Sequence, residues 1–403
     1  MEPIFIEWLN LAIRWVHMIT GIAWIGASFY FVWLENNLNR ASPREGLSGD
    51  LWAIHGGGIY HLEKYKLAPP KMPDDLHWFK WEAYFTWLTG MGLLVVVFYT
   101  NADLYLIKPG GDISPLAGVG IGLLALALGW VIYDIACNSF LGKKPALLGV
   151  LLYLFLVFAA WLLSLVFSGR GAYIHVGAIM GTIMVGNVFF VIMPGQRSLV
   201  NAIEKNLEPD PVLPAKALLR SRHNNYLTLP VLFIMISNHF PSTYGSEYNW
   251  LILAALAALS VMVRHYFNTR HGSQKYAWTL PTAALGMVCL AYVSIPDRAS
   301  PVAPTAHSHS HGADVPAVSF QKVASIIRER CTVCHAAAPT HPSFASAPAG
   351  VMLDTPEQMK NDVDRIVAQS VTTQIMPLGN LTQMTEEERD IVGAWAAAGA
   401  PIN

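Results

Sequence analysis

The stretch Ala146-Leu-Leu-Gly-Val-Leu-Leu-Tyr-Leu-Phe-Leu-Val-Phe-Ala-Ala-Trp-Leu-Leu-Ser-Leu-Val-Phe-Ser168 runs for 23 residues without a charge, and its reading decides the fold. At about 1.5 Å per residue such a helix crosses the roughly 30 Å hydrocarbon core of a bilayer. Comparable runs precede it at 8–34, 79–100 and 116–141, and follow it at 172–195, 224–240, 248–267 and 277–295. Eight membrane helices are therefore expected, the sixth being short, with Asn238 and His239 at one end. Trp8, Trp33, Trp78, Trp81, Trp250 and Trp278 fall near the predicted ends, where indole rings prefer the interface. Composition agrees: the chain is 53% hydrophobic and 13% charged, against about 25% charged in ordinary soluble domains. The expected class is all-α, a polytopic bundle in a lipid bilayer.

A net charge of −1 gives no basic excess for a nucleic-acid partner. The placement of charge is more informative. With the N-terminus outside, the cytoplasmic loops collect fifteen lysines and arginines between Arg40 and Lys275, whereas the outer loops between helices hold only Lys108 and Arg170. The positive-inside rule then puts both termini outside. The N-terminus has no basic leader or small-residue cleavage motif before its apolar run, so it reads as a first membrane helix, not a removable signal.

After residues 1–296 the composition changes. Residues 297–318, with Pro, Ala, Ser and the alternating His307, His309 and His311, read as a flexible linker. Residues 319–403 read as a small soluble domain. Its helices are expected to start near Ser319, at Thr355 with Gln358 placed for a capping box, and at Thr385 with Glu388 placed the same way.

Within that domain stands Cys331-Thr-Val-Cys334-His335, the C-x-x-C-H pattern of covalent haem attachment. Thiols at i and i+3 can meet the two porphyrin vinyl groups while the adjacent imidazole reaches the iron. A zinc site would need a second ligand pair, and Cys137 and Cys289, the other two cysteines, lie singly in apolar runs. Some 40 residues on, Gln374-Ile-Met376-Pro377 offers a thioether on a Pro-stiffened loop for the opposite face. His/Met ligation raises the reduction potential, as suits an electron acceptor. Met352, Met359 and Met384 are read as packing residues. These features resemble class I cytochromes c over roughly the last 85 residues. Haem c is attached on the outer side of bacterial membranes, which places 297–403 in the periplasm and the helices in the inner membrane.

Ionisable groups inside the helices call for a function. His17 and His175 can ligate a haem b, or each can simply donate to a neighbouring carbonyl. A relay is needed if the oxidised substrate is cytoplasmic and the haem c periplasmic, which makes this pair the candidate. The long loop between the first two helices holds His55-Gly-Gly-Gly58 and His61-Leu-Glu63-Lys64. A Gly triplet permits close ligand approach, or merely a turn. The 196–225 loop is expected to end in Arg222-His223-Asn224-Asn225, donors suited to a planar anionic heterocycle or to anchoring at a helix cap.

Arg14-Trp-Val-His17 with Trp24-Ile-Gly26, Gly186-Asn-Val-Phe-Phe-Val-Ile-Met-Pro-Gly-Gln196 and Arg222-His-Asn-Asn-Tyr226 together resemble the bacterial membrane-bound urate oxidases, or urate hydroxylases. The resemblance spans essentially the whole chain. It implies oxidation of urate to 5-hydroxyisourate, with electrons passed through cytochrome c to a terminal oxidase and no peroxide released. On that reading Arg222 would bind urate and His223 would be the base. The acceptors would be a soluble or membrane cytochrome c and the oxidase. A quinol-to-cytochrome c electron-transfer protein is the alternative; a plain anchored cytochrome would need one helix, not eight.

Overall fold

The computed structural model describes residues 3–69, 71–294 and 319–402. The expected linker with its three histidines, and Pro70 of the first long loop, lie outside the described residues. The order of elements is α1 (Pro3–Asn37), β1 (Leu47–His55), β2 (Gly58–Tyr65), α2 (Trp81–Leu93), α3 (Ala102–Tyr105), α4 (Pro115–Asn138), α5 (Pro145–Val166), α6 (Gly169–Gly186) and α7 (Met193–Glu204). Then come α8 (Val212–Ser237), α9 (Pro241–Tyr244), α10 (Asn249–Thr269), α11 (Thr279–Val293), α12 (Phe320–Arg330), α13 (Pro356–Asn361), α14 (Val363–Ile366) and α15 (Glu386–Ala397).

Among the described residues seven helices are long and apolar enough to cross a membrane. They correspond to all the expected spans except the sixth. Many large apolar side chains point outward, among them Leu285, Val288, Tyr292 and Val293 on α11, as lipid-facing positions of a multi-pass protein would. The interior is built around α6. A methyl group on Gly177 would lie 2.6 Å from Ile234 of α8, and one on Gly129 of α4 would lie 2.7 Å from Ile179. Small residues are required there because the helix backbones approach so closely.

The sixth span is corrected. The expected helix 224–240 is α8, which starts twelve residues earlier, at Val212, and takes Arg222-His223-Asn224-Asn225 into its interior instead of leaving them in a loop. Arg220, His223, Asn224 and Asn225 are buried. A hydropathy average reads such a segment as loop, yet a helix tolerates these residues when their polar atoms find partners inside the bundle. The fifth span also runs on, from α6 through π-helical turns at Asn187–Ile192 into α7. A second π-helical stretch, Leu94–Tyr99, extends α2.

The all-α expectation meets one exception, the antiparallel hairpin β1–β2 within the first long loop. His55 pairs with Gly58, leaving Gly56 (φ 59) and Gly57 (φ 80) as a two-residue turn, the type I′ geometry that only residues tolerant of positive φ adopt easily. The Gly triplet is thus a turn and not a ligand approach.

In the C-terminal part α12 packs against α15 around Val323, Ile327, Val392 and Trp395, all nearly or fully buried. Both expected capping boxes form: the Thr355 and Thr385 hydroxyls accept from the Gln358 and Glu388 backbone N–H groups, and those side chains reach back. This part touches the helix bundle, with the Ser343 hydroxyl 3.0 Å from Asn101 Oδ1 and Gly379 close against the Asp103 carbonyl.

Candidate functional site

Cys331 ends α12, and its carbonyl accepts from the N–H groups of Cys334 (3.2 Å) and His335 (2.9 Å), so the motif occupies one tight turn. His335 Nδ1 donates to the Val351 carbonyl at 3.1 Å. That leaves Nε2 with its lone pair, the state a metal-ligating imidazole needs. Met376 is held by its backbone: its N–H donates to the Gln369 carbonyl at 2.9 Å, and its carbonyl accepts from Arg389 Nη1 at 2.7 Å. Cys331, Cys334, His335 and Met376 all line one cleft with about 820 Å³ of atom-free space, part of it open to solvent.

No disulfide joins the two cysteines, and burial pushes the Cys331 thiol up to about 12 and raises that of Cys334 as well. A redox dithiol works through an accessible thiolate, which these raised values disfavour. Zinc does not fit: among the described residues no group of three or more His, Cys, Asp or Glu could hold a metal. A partly buried thiol pair lining one cleft with an imidazole and a thioether matches the donor set of a covalently attached haem with His/Met ligation.

The mouth of this cleft contains residues the sequence reading placed elsewhere. Leu104, Tyr105 and Arg170 line it from the helix bundle. The Arg170 guanidinium lies over the rings of Tyr105 (5.6 Å) and Tyr244 (5.5 Å) and donates to the Tyr244 hydroxyl at 2.9 Å. Its buried Nε has no partner among the described residues. In the sequence Arg170 counted only as a loop charge, although its position after an apolar run already marked a helix end.

His17 and His175 are not brought together. His17 Nδ1 lies 3.0 Å from both the Thr86 carbonyl and Thr89 Oγ1, with its ring against Gly90. His175 is fully buried, its Nδ1 donating to the Gly171 carbonyl at 2.8 Å and its Nε2 3.1 Å from the Tyr99 hydroxyl. Gly90 and Tyr99 stand nine residues apart on the continuous α2 helix, roughly 12 Å along its axis. Each imidazole has partners of its own, His17 in the Thr86 carbonyl and Thr89 hydroxyl and His175 in the Gly171 carbonyl and Tyr99 hydroxyl.

His223 and Arg222 also separate. His223 Nδ1 is 2.8 Å from the Tyr133 hydroxyl, which accepts from Asn187 Nδ2 at 3.0 Å and so has its own proton to donate to the imidazole. Asn187 in turn donates to Asn224 Oδ1 at 2.8 Å and accepts from Arg220 Nη1 at 3.3 Å. Arg220 Nη2 reaches Asp134 Oδ1 at 2.6 Å. The buried arginine beside His223 is therefore Arg220, missed in the sequence, while Arg222 is exposed. Arg222 and His223 do share the edge of a wide apolar cleft between α5, α8 and α10, with about 1590 Å³ of atom-free space including open solvent. The first-loop donors are not near: His61 Nε2 pairs with Asp50 at 2.7 Å and stacks on Trp52, and Lys64 pairs with Glu35.

Fold and site define a polytopic helical protein with a buried polar network in its bundle and a Cys–Cys–His–Met cleft at one end. Its residues 3–295 match the family model described as urate oxidase N-terminal, and the chain belongs to that family. It is a urate oxidase-related protein, and the family points to oxidation of urate. No curated protein and no solved structure gives a significant match.

Proposed function

We propose that this protein is a membrane-bound urate oxidase that converts urate to 5-hydroxyisourate and passes the electrons through a covalent haem c to the respiratory chain, without releasing peroxide. The observation that carries the reading is the convergence of Cys331, Cys334, His335 and Met376 on one cleft, in a chain whose first 295 residues belong to the urate oxidase family. When bound, a haem c supplies one-electron acceptance at a potential raised by its thioether ligand. Cys331 and Cys334 would anchor it, His335 Nε2 and Met376 Sδ would ligate it, and Leu104 and Tyr105 would shield its edge at the helix bundle. Residues 319–403 then act as a cytochrome c domain, tethered by 297–318 to the membrane domain 1–296, with both termini in the periplasm and the bundle in the bacterial inner membrane.

In the bundle, Tyr133 fills Nδ1 of His223 and fixes its tautomer, so that a proton from urate would be taken by way of this hydroxyl–imidazole pair. Arg220 holds Asn187, which positions Tyr133. Arg222, exposed at the rim, would meet the anion on its way in. The electron acceptors would be a cytochrome c and a terminal oxidase.

Anaerobic mixing of the purified full chain with urate tests the reading. Reduction of a haem c, at two electrons per urate consumed, is expected; a requirement for dioxygen or stoichiometric peroxide would exclude the mechanism. A second reading, quinol oxidation, is favoured by the apolar cleft with Arg222, His223, Tyr226 and His265 along it. It predicts haem reduction by a soluble quinol analogue and none by urate.

A further inference from the structure

Near the C-terminal ends of α1 and α10, three buried polar atoms have no hydrogen-bond partner among the described residues: Arg264 Nη2, Asn225 Nδ2 and Asn268 Oδ1. They belong to one cluster. Asn225 Oδ1 accepts from Arg264 Nε at 2.9 Å and from Asn268 Nδ2 at 2.7 Å. These bonds fix the orientation of both amides, since a flip of Asn225 would set its NH₂ against two donors. The unfilled positions are therefore two donors and one acceptor. The guanidinium of Arg264 lies 3.9 Å over the Phe29 ring, and Asn36 Nδ2 ties α1 to the Asn268 carbonyl at 3.3 Å.

The charge is more telling than the geometry. Arg264 is 6% exposed and Asn225 4%. The other buried arginine of the bundle, Arg220, has Asp134 as its counter-charge at 2.6 Å, whereas no carboxylate of the described residues takes up Arg264. A guanidinium buried among apolar helices calls for an anion. Two donors, Arg264 Nη2 and Asn225 Nδ2, and one acceptor, Asn268 Oδ1, match in kind the acceptor atoms and the N–H that a small planar anion such as the urate monoanion offers.

We infer that Arg264, Asn225 and Asn268 form the recognition site for the substrate, a planar oxopurine monoanion, with Arg264 and Asn225 donating to its oxygen and ring nitrogen and Asn268 accepting from its N–H. The inference rests on the urate reading above and adds the residues that read the ring. Phe29 holds the guanidinium plane from the far side.

Asn225→Asp gives the sharpest test. The new carboxylate keeps the acceptor for Arg264 Nε and Asn268 Nδ2, presents a second oxygen to Arg264 Nη2, and repels an incoming anion. In the full chain in detergent, urate affinity measured by anaerobic equilibrium dialysis should fall at least tenfold, while the urate-free melting temperature stays at or above that of the wild type. Added urate should raise the melting temperature of the wild type and leave that of the variant unchanged. Arg264→Gln should lose affinity to a similar extent. Wild-type affinity in Asn225→Asp, or a urate-free melting temperature below the wild type, overturns the site alone. A wild-type protein that neither binds nor oxidises urate overturns the urate reading together with it.

Discussion

Asp134→Asn is the perturbation whose outcome follows most directly from the buried network. Arg220 has a side chain only 3% exposed, and its counter-charge Asp134 is 34% exposed. Removing one partner of a buried pair costs about 3–5 kcal/mol, because the other charge is left without compensation. The introduced amide would keep one acceptor oxygen, and water reaches a third of the side chain at this position, so a loss of about 2–3 kcal/mol is expected. Adding Arg220→Met removes the stranded charge, and the double variant should recover most of the loss even though Asn187 Oδ1 gives up its 3.3 Å donor. Thermal unfolding of the full chain in detergent, followed by circular dichroism, gives the order: wild type and double variant close together, Asp134→Asn clearly below both. The single variant should also oxidise urate more slowly, since Arg220 supports the Asn187–Tyr133–His223 chain. A double variant that melts as low as the single one would refute the reasoning, for the stranded charge would not then be the cause.

Met376→Ala should lower the reduction potential of the bound haem and abolish any weak near-infrared sulfur-to-iron band; a band that persists reassigns the distal ligand. Arg170→Gln removes a cation from the mouth of the same cleft and should lower the potential by tens of millivolts, about 59 mV per tenfold change in a one-electron equilibrium, as read by redox titration. The Arg330 guanidinium holds the Glu388 carboxyl below the usual carboxylate range. Its stabilisation is therefore complete above the unfolded value of about 4.3 and is lost as pH falls through the lower folded value. Glu388→Gln keeps the capping box but should cost about 1.5 kcal/mol at neutral pH and progressively less below pH ~4, a convergence visible in melting temperatures. The double variant Cys331→Ala/Cys334→Ala should carry no haem on a denaturing gel yet bind urate with wild-type affinity.

Spans such as α5 were legible because they are apolar on every face, so that any average over the window gives the same answer. The sixth was not, because the residues that make α8 polar are paired with side chains far away in the sequence: Arg220 with Asp134, Asn224 with Asn187, Asn225 with Arg264. The hairpin had its signal in Gly56-Gly57, but the flanking residues do not alternate cleanly between apolar and polar, so the turn stood without strands. That Cys331, Cys334 and His335 share one site was readable because it depends on local spacing alone, and the three line one cleft. What Arg170, Arg220 and Arg264 do depends on which elements converge on them. As letters in a sequence they are equivalent; one faces a cleft, one is paired, and one has no counter-charge among the described residues.

On the function proposed above, Arg264 and Arg170 mark the two ends of the route that electrons would take. Asn249, at the start of α10, donates to the Tyr244 carbonyl at 3.1 Å, and Tyr244 receives Arg170 at the mouth of the cysteine cleft. Arg264 lies fifteen residues further along the same helix, about 22 Å at the helical rise. A substrate bound at Arg264 and a haem held by Cys331 and Cys334 are then too far apart to touch a common residue, and perturbations at such a distance act independently. On that reading binding should survive loss of the haem, while oxidation should not. Tyr99 and His175 lie toward the cleft end of the bundle, whereas Tyr133 and His223, the latter two residues before Asn225 on α8, lie toward the Arg264 end. On the function proposed above, charge would have to cross this polar and aromatic interior to reach the cleft.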